Sequence, residues 1–255
     1  MPTAELNGFQ MYFEDRGTGE PLLLLHGGMG VGGDWRHVFP EDPEGYRVIV
    51  PDLRGHGQST NPSKMFTFRQ CAEDVLALLD RLGITRTKAV GMSLGAKTLL
   101  HIATARSNSV SAMVLVSATP YFPPPLRSAA AQFTIEALER LGEAERNALR
   151  ARHVHGDEQI ALLYEMTRQF ALSYDDMAFT PPKLATISAR TLIVHGDRDP
   201  FYPVDLAFEL FRAIPRAALC VVPYGGHGPV LGPLAAPFRA VALAHLAKDE
   251  EPVGG

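Results

Sequence analysis

Six short apolar runs punctuate the chain at 21–25, 46–50, 88–90, 112–116, 191–194 and 219–222, each bounded by Gly, Pro or Asp. Strands that are apolar on both faces suit a parallel sheet covered by helices, because such strands are buried on both sides. Between the runs the apolar spacing becomes helical. Thr67 opens one such segment, with Gln70 placed to complete a capping box; Ala72, Val75, Leu76, Leu79 and Leu82 supply its apolar face, and Gly83 stops it. A second begins directly after Ser93 and carries Leu94, Leu99, Leu100 and Ile102. This alternation predicts an α/β fold with a doubly wound, mostly parallel sheet.

The alternation lapses between Pro120 and Pro182. YFPPPL opens the interval, two helical patterns follow at about 129–152 and 157–172, and FTPPKL closes it without a strand signal inside. We therefore expect a core built from residues 1–119 and 183–255, with a helical cap inserted over 120–182. A length of 255 residues fits one such domain. The tail KDEEPVGG reads as disordered.

Hydrophobic residues make up 46% of the chain and charged residues 20%, and the formal net charge is -4. With no basic stripe, this balance argues against a nucleic-acid partner. No apolar stretch approaches the roughly 20 residues that span a bilayer. The first residues carry no readable leader. A cytoplasmic location away from membranes is therefore expected. Cys71 and Cys220 are widely separated, within a predicted helix and strand, and read as buried free thiols rather than a disulfide. The oligomeric state is not legible.

The stretch AVGMSLGAK places Ser93 in a G-x-S-x-G pattern between a predicted strand and a predicted helix. A sharp strand-to-helix turn strains the serine backbone and leaves no room for side chains at the flanking glycines, so the hydroxyl stands alone at the carboxyl end of the sheet. A serine hydroxyl needs a base. Of nine histidines, His101 and His245 fall within helices, His153 and His155 end a helix of the inserted segment, His37 sits in a loop and His195 ends a strand. His227 lies in PYGGHGPV, just after the last apolar run. That loop reaches the same rim as Ser93. A base needs an acceptor for its second ring nitrogen, and TLIVHGDRDPFYP offers Asp197 and Asp199. The chain order serine, acid, histidine is that of one triad architecture.

With LLLLHGG, PDLRGHGQS, GMSLG, HGDRDP and GGHGP in order, the chain resembles the α/β-hydrolase fold superfamily over nearly its whole length, in particular serine-nucleophile esterase-like members with a small helical cap. The resemblance implies that the acid is the last residue of Gly196-Asp197-Arg198-Asp199, hence Asp199, with Asp197 a turn residue. Some relatives carry the acid after the strand that follows the nucleophile helix, but LVSATP has no carboxylate there.

Acyl transfer also needs donors for the developing oxyanion. The N–H of Leu94, at the helix start, is one. The other belongs to the loop HGGMGVGGDW, where the resemblance implies Gly28, with Met29 as second choice. His26 is expected to brace this loop. The loop lacks the Walker lysine of a phosphate cradle. No metal spacing is readable, so neither metal nor organic cofactor is expected.

In relatives an aspartate nucleophile opens epoxides or displaces halide; serine implies acyl transfer. The expected activity is therefore that of a carboxylesterase or arylesterase acting on a small-molecule ester or lactone through an acyl-enzyme. Lactonases, carbon-carbon bond hydrolases and cofactor-free perhydrolases share these motifs, as does a small-ligand receptor that retains the triad. Met29, Trp35, Met92, Tyr121, Phe122, Phe133, Phe170 and Phe201 are the candidates for lining an apolar substrate pocket.

Overall fold

The chain enters through a hairpin that lies outside the six apolar runs. Strands β1 (Thr3–Leu6) and β2 (Phe9–Gly17) pair antiparallel, with Leu6 opposite Phe9. Asn7 and Gly8 form the two-residue loop, both at left-handed φ, 47° and 77°. Asn-Gly is the pair such a loop selects, because its twist matches that of the strands. The computed structural model describes residues 2–248; all of the tail KDEEPVGG beyond Lys248 lies outside them.

Each predicted run lies within a strand: β3 (Glu20–Leu25), β4 (Tyr46–Pro51), β5 (Thr87–Met92), β6 (Val110–Val116), β7 (Arg190–Gly196) and β8 (Ala217–Val222). The eight strands form one sheet in the order β1-β2-β4-β3-β5-β6-β7-β8. From β4 to β8 every pairing is parallel, and β1 and β2 are the antiparallel edge. The helices are α1 (Phe68–Arg81), α2 (Leu94–Ala105), α3 (Pro124–Ala130), α4 (Ile135–Glu139), α5 (Glu143–Arg152), α6 (Asp157–Gln169), α7 (Pro181–Leu184), α8 (Val204–Ala213) and α9 (Ala235–Ala247).

Strand side chains alternate between the two faces, and the core divides accordingly. Leu23, Leu25, Ile49, Ala89, Met113, Leu115 and Ile193 pack with α1, α2 and α8. Leu22, Leu24, Val48, Val50, Val90, Val114, Val116 and Val194 pack with α9 and with the 3-10 turn Gly32–His37. α1 starts as expected at Thr67, whose hydroxyl accepts the Gln70 N–H at 3.0 Å, and Gly83 follows its end at φ 70°.

The interval between β6 and β7 differs in detail from the expected pair of helices. The pattern at 129–152 resolves into α3, α4 and α5 because it holds two new helix starts. Thr134 accepts the Ala137 N–H at 3.1 Å, and Glu145 accepts the Gly142 N–H at 3.0 Å. The second pattern stops at Gln169, and Tyr121 makes an isolated strand-like bridge with Ala178. Cys71 is buried and Cys220 half-buried, both as free thiols. No described helix is long and apolar enough to cross a membrane.

One buried ion pair ties the hairpin, the loop after β4 and α1 together. Arg54 donates through Nε and NH2 to both oxygens of Asp74, each at 2.8 Å, with the two side chains 1% and 0% exposed. Asn7 Nδ2 donates to the same carboxylate at 2.8 Å, and the guanidinium lies 4.0 Å from the Phe9 ring centre. Removing one partner strands a buried charge, at a cost of about 3–5 kcal/mol. Asp74→Ala is therefore expected to lower the urea unfolding free energy by about that amount. The double variant Asp74→Leu with Arg54→Met is expected to recover part of it. A single variant as stable as the parent would refute the role given to this pair.

Candidate active site

Ser93 stands between β5 and α2 at φ 49° and ψ -103°, a conformation costing roughly 1–3 kcal/mol for a non-glycine residue. Its neighbours hold it there. A Cβ at Gly91 would lie 2.7 Å from the Gly95 carbonyl, and one at Gly95 would overlap the carbonyl of Leu25. The Ser93 N–H donates to Val116 O at 2.8 Å, extending the β5–β6 ladder one residue into the elbow, and Lys97 N–H donates to Ser93 O at 3.0 Å.

The loops after β7 and β8 bring Asp199 and His227 to this serine. His227 Nε2 lies 2.9 Å from Ser93 Oγ, and Nδ1 lies 2.8 Å from Asp199 Oδ2. Because a carboxylate only accepts, Nδ1 carries the proton and Nε2 is left to accept that of the serine. The second Asp199 oxygen accepts the N–H groups of Phe201 at 2.8 Å and Tyr202 at 3.1 Å. Burial pushes the Asp199 carboxyl upward, but the hydrogen bond and charge of His227, with the two backbone donors, hold it below its usual value. Asp197 is exposed and its N–H donates to Val222 O at 3.2 Å, as a turn residue. The three residues singled out from sequence are thus in one hydrogen-bonded line.

A fourth group was missed. Ser117, just past β6 at φ 50°, donates its hydroxyl to the His227 carbonyl at 2.7 Å. LVSATP lacks a carboxylate, but its serine positions the histidine loop from the same strand end.

The glycine-rich loop after β3 turns tightly, with Gly30 N–H donating to Gly27 O at 3.1 Å and Met29 at φ 58°. His26 braces it as expected. Its Nε2 accepts the Leu53 N–H at 2.9 Å, which leaves Nδ1 to donate to Gly27 O at 2.7 Å. Its own carbonyl accepts the Gly95 N–H at 2.9 Å, joining this loop to the start of α2. Gly28 and Leu94 are neighbours: a Cβ on Gly28 would lie 3.8 Å from Leu94 Cδ1. Asp52 accepts from Gly32 N–H at 2.7 Å and Gln58 N–H at 2.8 Å. His153, at the end of α5, was set aside in the sequence but reaches this loop. Its Nδ1 accepts the Gly57 N–H at 3.0 Å, so its Nε2 donates to Met29 O at 3.3 Å.

Met29, Trp35 and Met92 line a cavity of about 230 Å³ together with Gly28, and the sequence did not single out its further walls His37, Arg152 and Leu231. Arg152 pairs there with Asp34 at 3.3 Å. The other expected lining residues lie elsewhere. Phe122 and Phe170 pack with Phe68 in a largely buried aromatic group, Phe133 packs at a tilt on Tyr164, and Tyr121 is 40% exposed with its hydroxyl donating to Glu209. Phe201 instead meets the His227 ring edge-on at 5.0 Å. Apolarity marked these side chains equally, and only the fold separates those facing the cavity from those filling the core. A second hollow, about 290 Å³, is lined by Glu20, Lys88 and Arg190 at the opposite, amino end of the strands.

The family model described as alpha/beta hydrolase fold matches residues 20–155. A 2-hydroxy-6-oxononadienedioate/2-hydroxy-6-oxononatrienedioate hydrolase of Pseudomonas putida is 31% identical over 252 residues, covering 86% of this chain and 85% of that protein. A 2-hydroxy-6-oxo-6-phenylhexa-2,4-dienoate hydrolase of Burkholderia cepacia is 29% identical, covering 87% and 86%. Among solved structures, the N-acyl homoserine lactone degrading enzyme Est816 superposes with a TM-score of 0.74 at 25% identity, covering 95% of this chain and 99% of that one.

His26, His56 and His153 form a row of buried rings, with centroids 5.0 Å apart for the first pair and 6.1 Å for the second. Burial pushes all three imidazoles below the ordinary histidine value. They are neutral when folded, whereas the unfolded chain takes up protons near pH 6.5. Their stabilising contribution is therefore complete above that pH and is lost as the pH falls through the lower folded values. The urea midpoint is expected to drop between pH 7.5 and pH 5, and to drop less in His153→Gln. A midpoint flat across that range would contradict this.

Proposed function

The chain belongs to the alpha/beta hydrolase fold family, and on that premise we propose that it cleaves small carboxylic esters or lactones through an acyl-enzyme on Ser93. The observation that carries this reading is the continuous line Ser93 Oγ, His227 and Asp199, with contacts of 2.9 and 2.8 Å. In the proposed course His227 takes the Ser93 proton as Oγ attacks the carbonyl carbon. The same imidazole returns the proton to the leaving alcohol, then activates the water that releases the acid. The N–H of Leu94 and that of Gly28, or of Met29 beside it, would hold the oxyanion. Leu94 suits the role because the first N–H groups of a helix have no partner within it. The cavity beside Met29, Trp35 and Met92 would take the substrate, under a cap formed by residues 120–182. His153 links that segment to the carbonyl of Met29.

A second reading is cleavage of a carbon-carbon bond next to a ketone, in a substrate of the 2-hydroxy-6-oxo-dienoate kind named for the two relatives of 29% and 31% identity. It uses the same serine, with a carbon leaving group in place of an alkoxide. Degradation of an N-acyl homoserine lactone is in turn what is named for the structural relative of 25% identity.

A fluorophosphonate probe is expected to label Ser93 stoichiometrically. Ser93→Ala is expected to abolish both labelling and multiple-turnover hydrolysis of p-nitrophenyl acetate or butyrate, a loss of about 10⁴-fold or more. Faster turnover of a 2-hydroxy-6-oxo-dienoate than of any ester or lactone in a chain-length series would replace the first reading by the second. Turnover that survives Ser93→Ala would remove both.

A further inference from the structure

Lys97 has no part in the triad, yet it is buried beside it. It follows Ser93 by four residues, one turn along α2, and helical side chains lean back toward the helix start. The residue is 2% exposed. Its Nζ lies 2.6 Å from the Tyr202 hydroxyl, 4.8 Å from the centre of that ring, and 5.3 and 5.9 Å from the rings of Phe68 and Phe122. An amine in such a place costs free energy that Leu or Met would not. Tyr202 is itself pinned to the site. Its N–H donates to Asp199 Oδ1, its carbonyl accepts from His195 Nε2 at 2.8 Å, and its ring meets that of His227 at 5.1 Å. Ser93 Oγ touches the same imidazole that this ring meets, which brings the phenol to the serine's side of the site.

We propose that Lys97 and Tyr202 form a second polar branch of the active site, in which the Lys97 ammonium turns the Tyr202 hydroxyl toward Ser93 Oγ as a donor. Lys97 is then a positioning residue that acts on the nucleophile through the phenol. The inference rests on the reading of Ser93 as nucleophile.

The direction of the branch follows from what each group can do. A charged amine only donates, so the Tyr202 oxygen accepts from it and the phenolic proton points onward. Ser93 gives its own proton to His227 Nε2 and can accept that of Tyr202. A neutral amine would instead take the phenol's hydrogen bond for itself and leave Ser93 without one. During attack the Ser93 proton moves to His227 while Oγ bonds to the carbonyl carbon; the Tyr202 proton stays on its oxygen and stabilises the charge passing through Oγ. Burial lowers Lys97 to about 7, with Asp199 opposing that shift, and burial raises Tyr202. Among the described residues, the ionisable groups facing Nζ are Tyr202 and Asp199, with His227 across the Tyr202 ring and His195 behind its carbonyl. α1 and the segment after β6 face it with Phe68 and Phe122.

The test is the rate of fluorophosphonate labelling of Ser93 against pH, from 5.5 to 9.5, for the parent, Lys97→Met and Tyr202→Phe, with urea unfolding of each as a control. The parent is expected to show a rise on the acid side, set by the triad, and a fall above neutrality, set by Lys97. Both variants are expected to be slower by roughly ten- to a hundredfold near pH 6.5, the scale of one hydrogen bond to a group gaining charge, and to lose the alkaline fall. Tyr202→Phe keeps the test open if Lys97→Met does not fold. Folded variants with the parent's rates and profile would overturn the branch while leaving the Ser93 reading intact. A parent that is not labelled at all would overturn both.

Discussion

Gly95 passes so close to β3 that any side chain there would overlap the Leu25 carbonyl, and the rest of the site depends on that approach. With α2 held against β3, the chain must leave β5 through a single strained residue. Ser93 is that residue. The same approach lets Gly95 donate to the carbonyl of His26, so the turn that exposes the serine and the loop that carries Gly28 and Met29 are fixed to one another. The strain at Ser93 is small beside the burial of the two sheet faces around it, which is why one non-glycine residue can be held there.

The loops around this elbow are ordered from inside. His26 bridges the loops after β3 and β4, Asp52 ties down two backbone donors, Ser117 holds the His227 carbonyl, and Arg54 with Asp74 anchors the loop after β4 to α1. Each is a buried polar group whose bonds are met, and such groups specify one arrangement because any other leaves them unpaired. The site is thus loop-built but rigidly backed, the usual division between scaffold and functional residues.

Much of this was legible in the sequence. The elbow showed because its constraint is local: two glycines at fixed offsets from a serine, between an apolar run and a helical period. His227 and the pair Asp197 and Asp199 showed because strand ends place side chains on one rim, and the family resemblance pointed to Asp199 of the two. The hairpin at Asn7-Gly8 carried its own turn signal, and only the emphasis on continuous apolar runs hid a half-exposed edge. Arg54 with Asp74 and Lys97 with Tyr202 were not legible, since partners 20 and 105 residues apart are joined by topology alone. The pocket was legible only in part, for a related reason. Apolarity marks Phe122 and Met92 alike, and only the fold puts one in a packed aromatic group and the other on a cavity wall.

The charges around Ser93 are arranged in one sequence. At one end Asp199 is buried and kept ionised by the imidazole and two backbone donors; at the other, Lys97 is buried among rings against Tyr202. In the proposed course, positive charge would appear beside Asp199 as the serine proton crosses to His227. Negative charge would pass through Oγ on the side of Tyr202 and Lys97, then onto the substrate oxygen. Both developing charges meet partners already oriented and shielded from water, which is the condition under which electrostatic stabilisation costs least reorganisation.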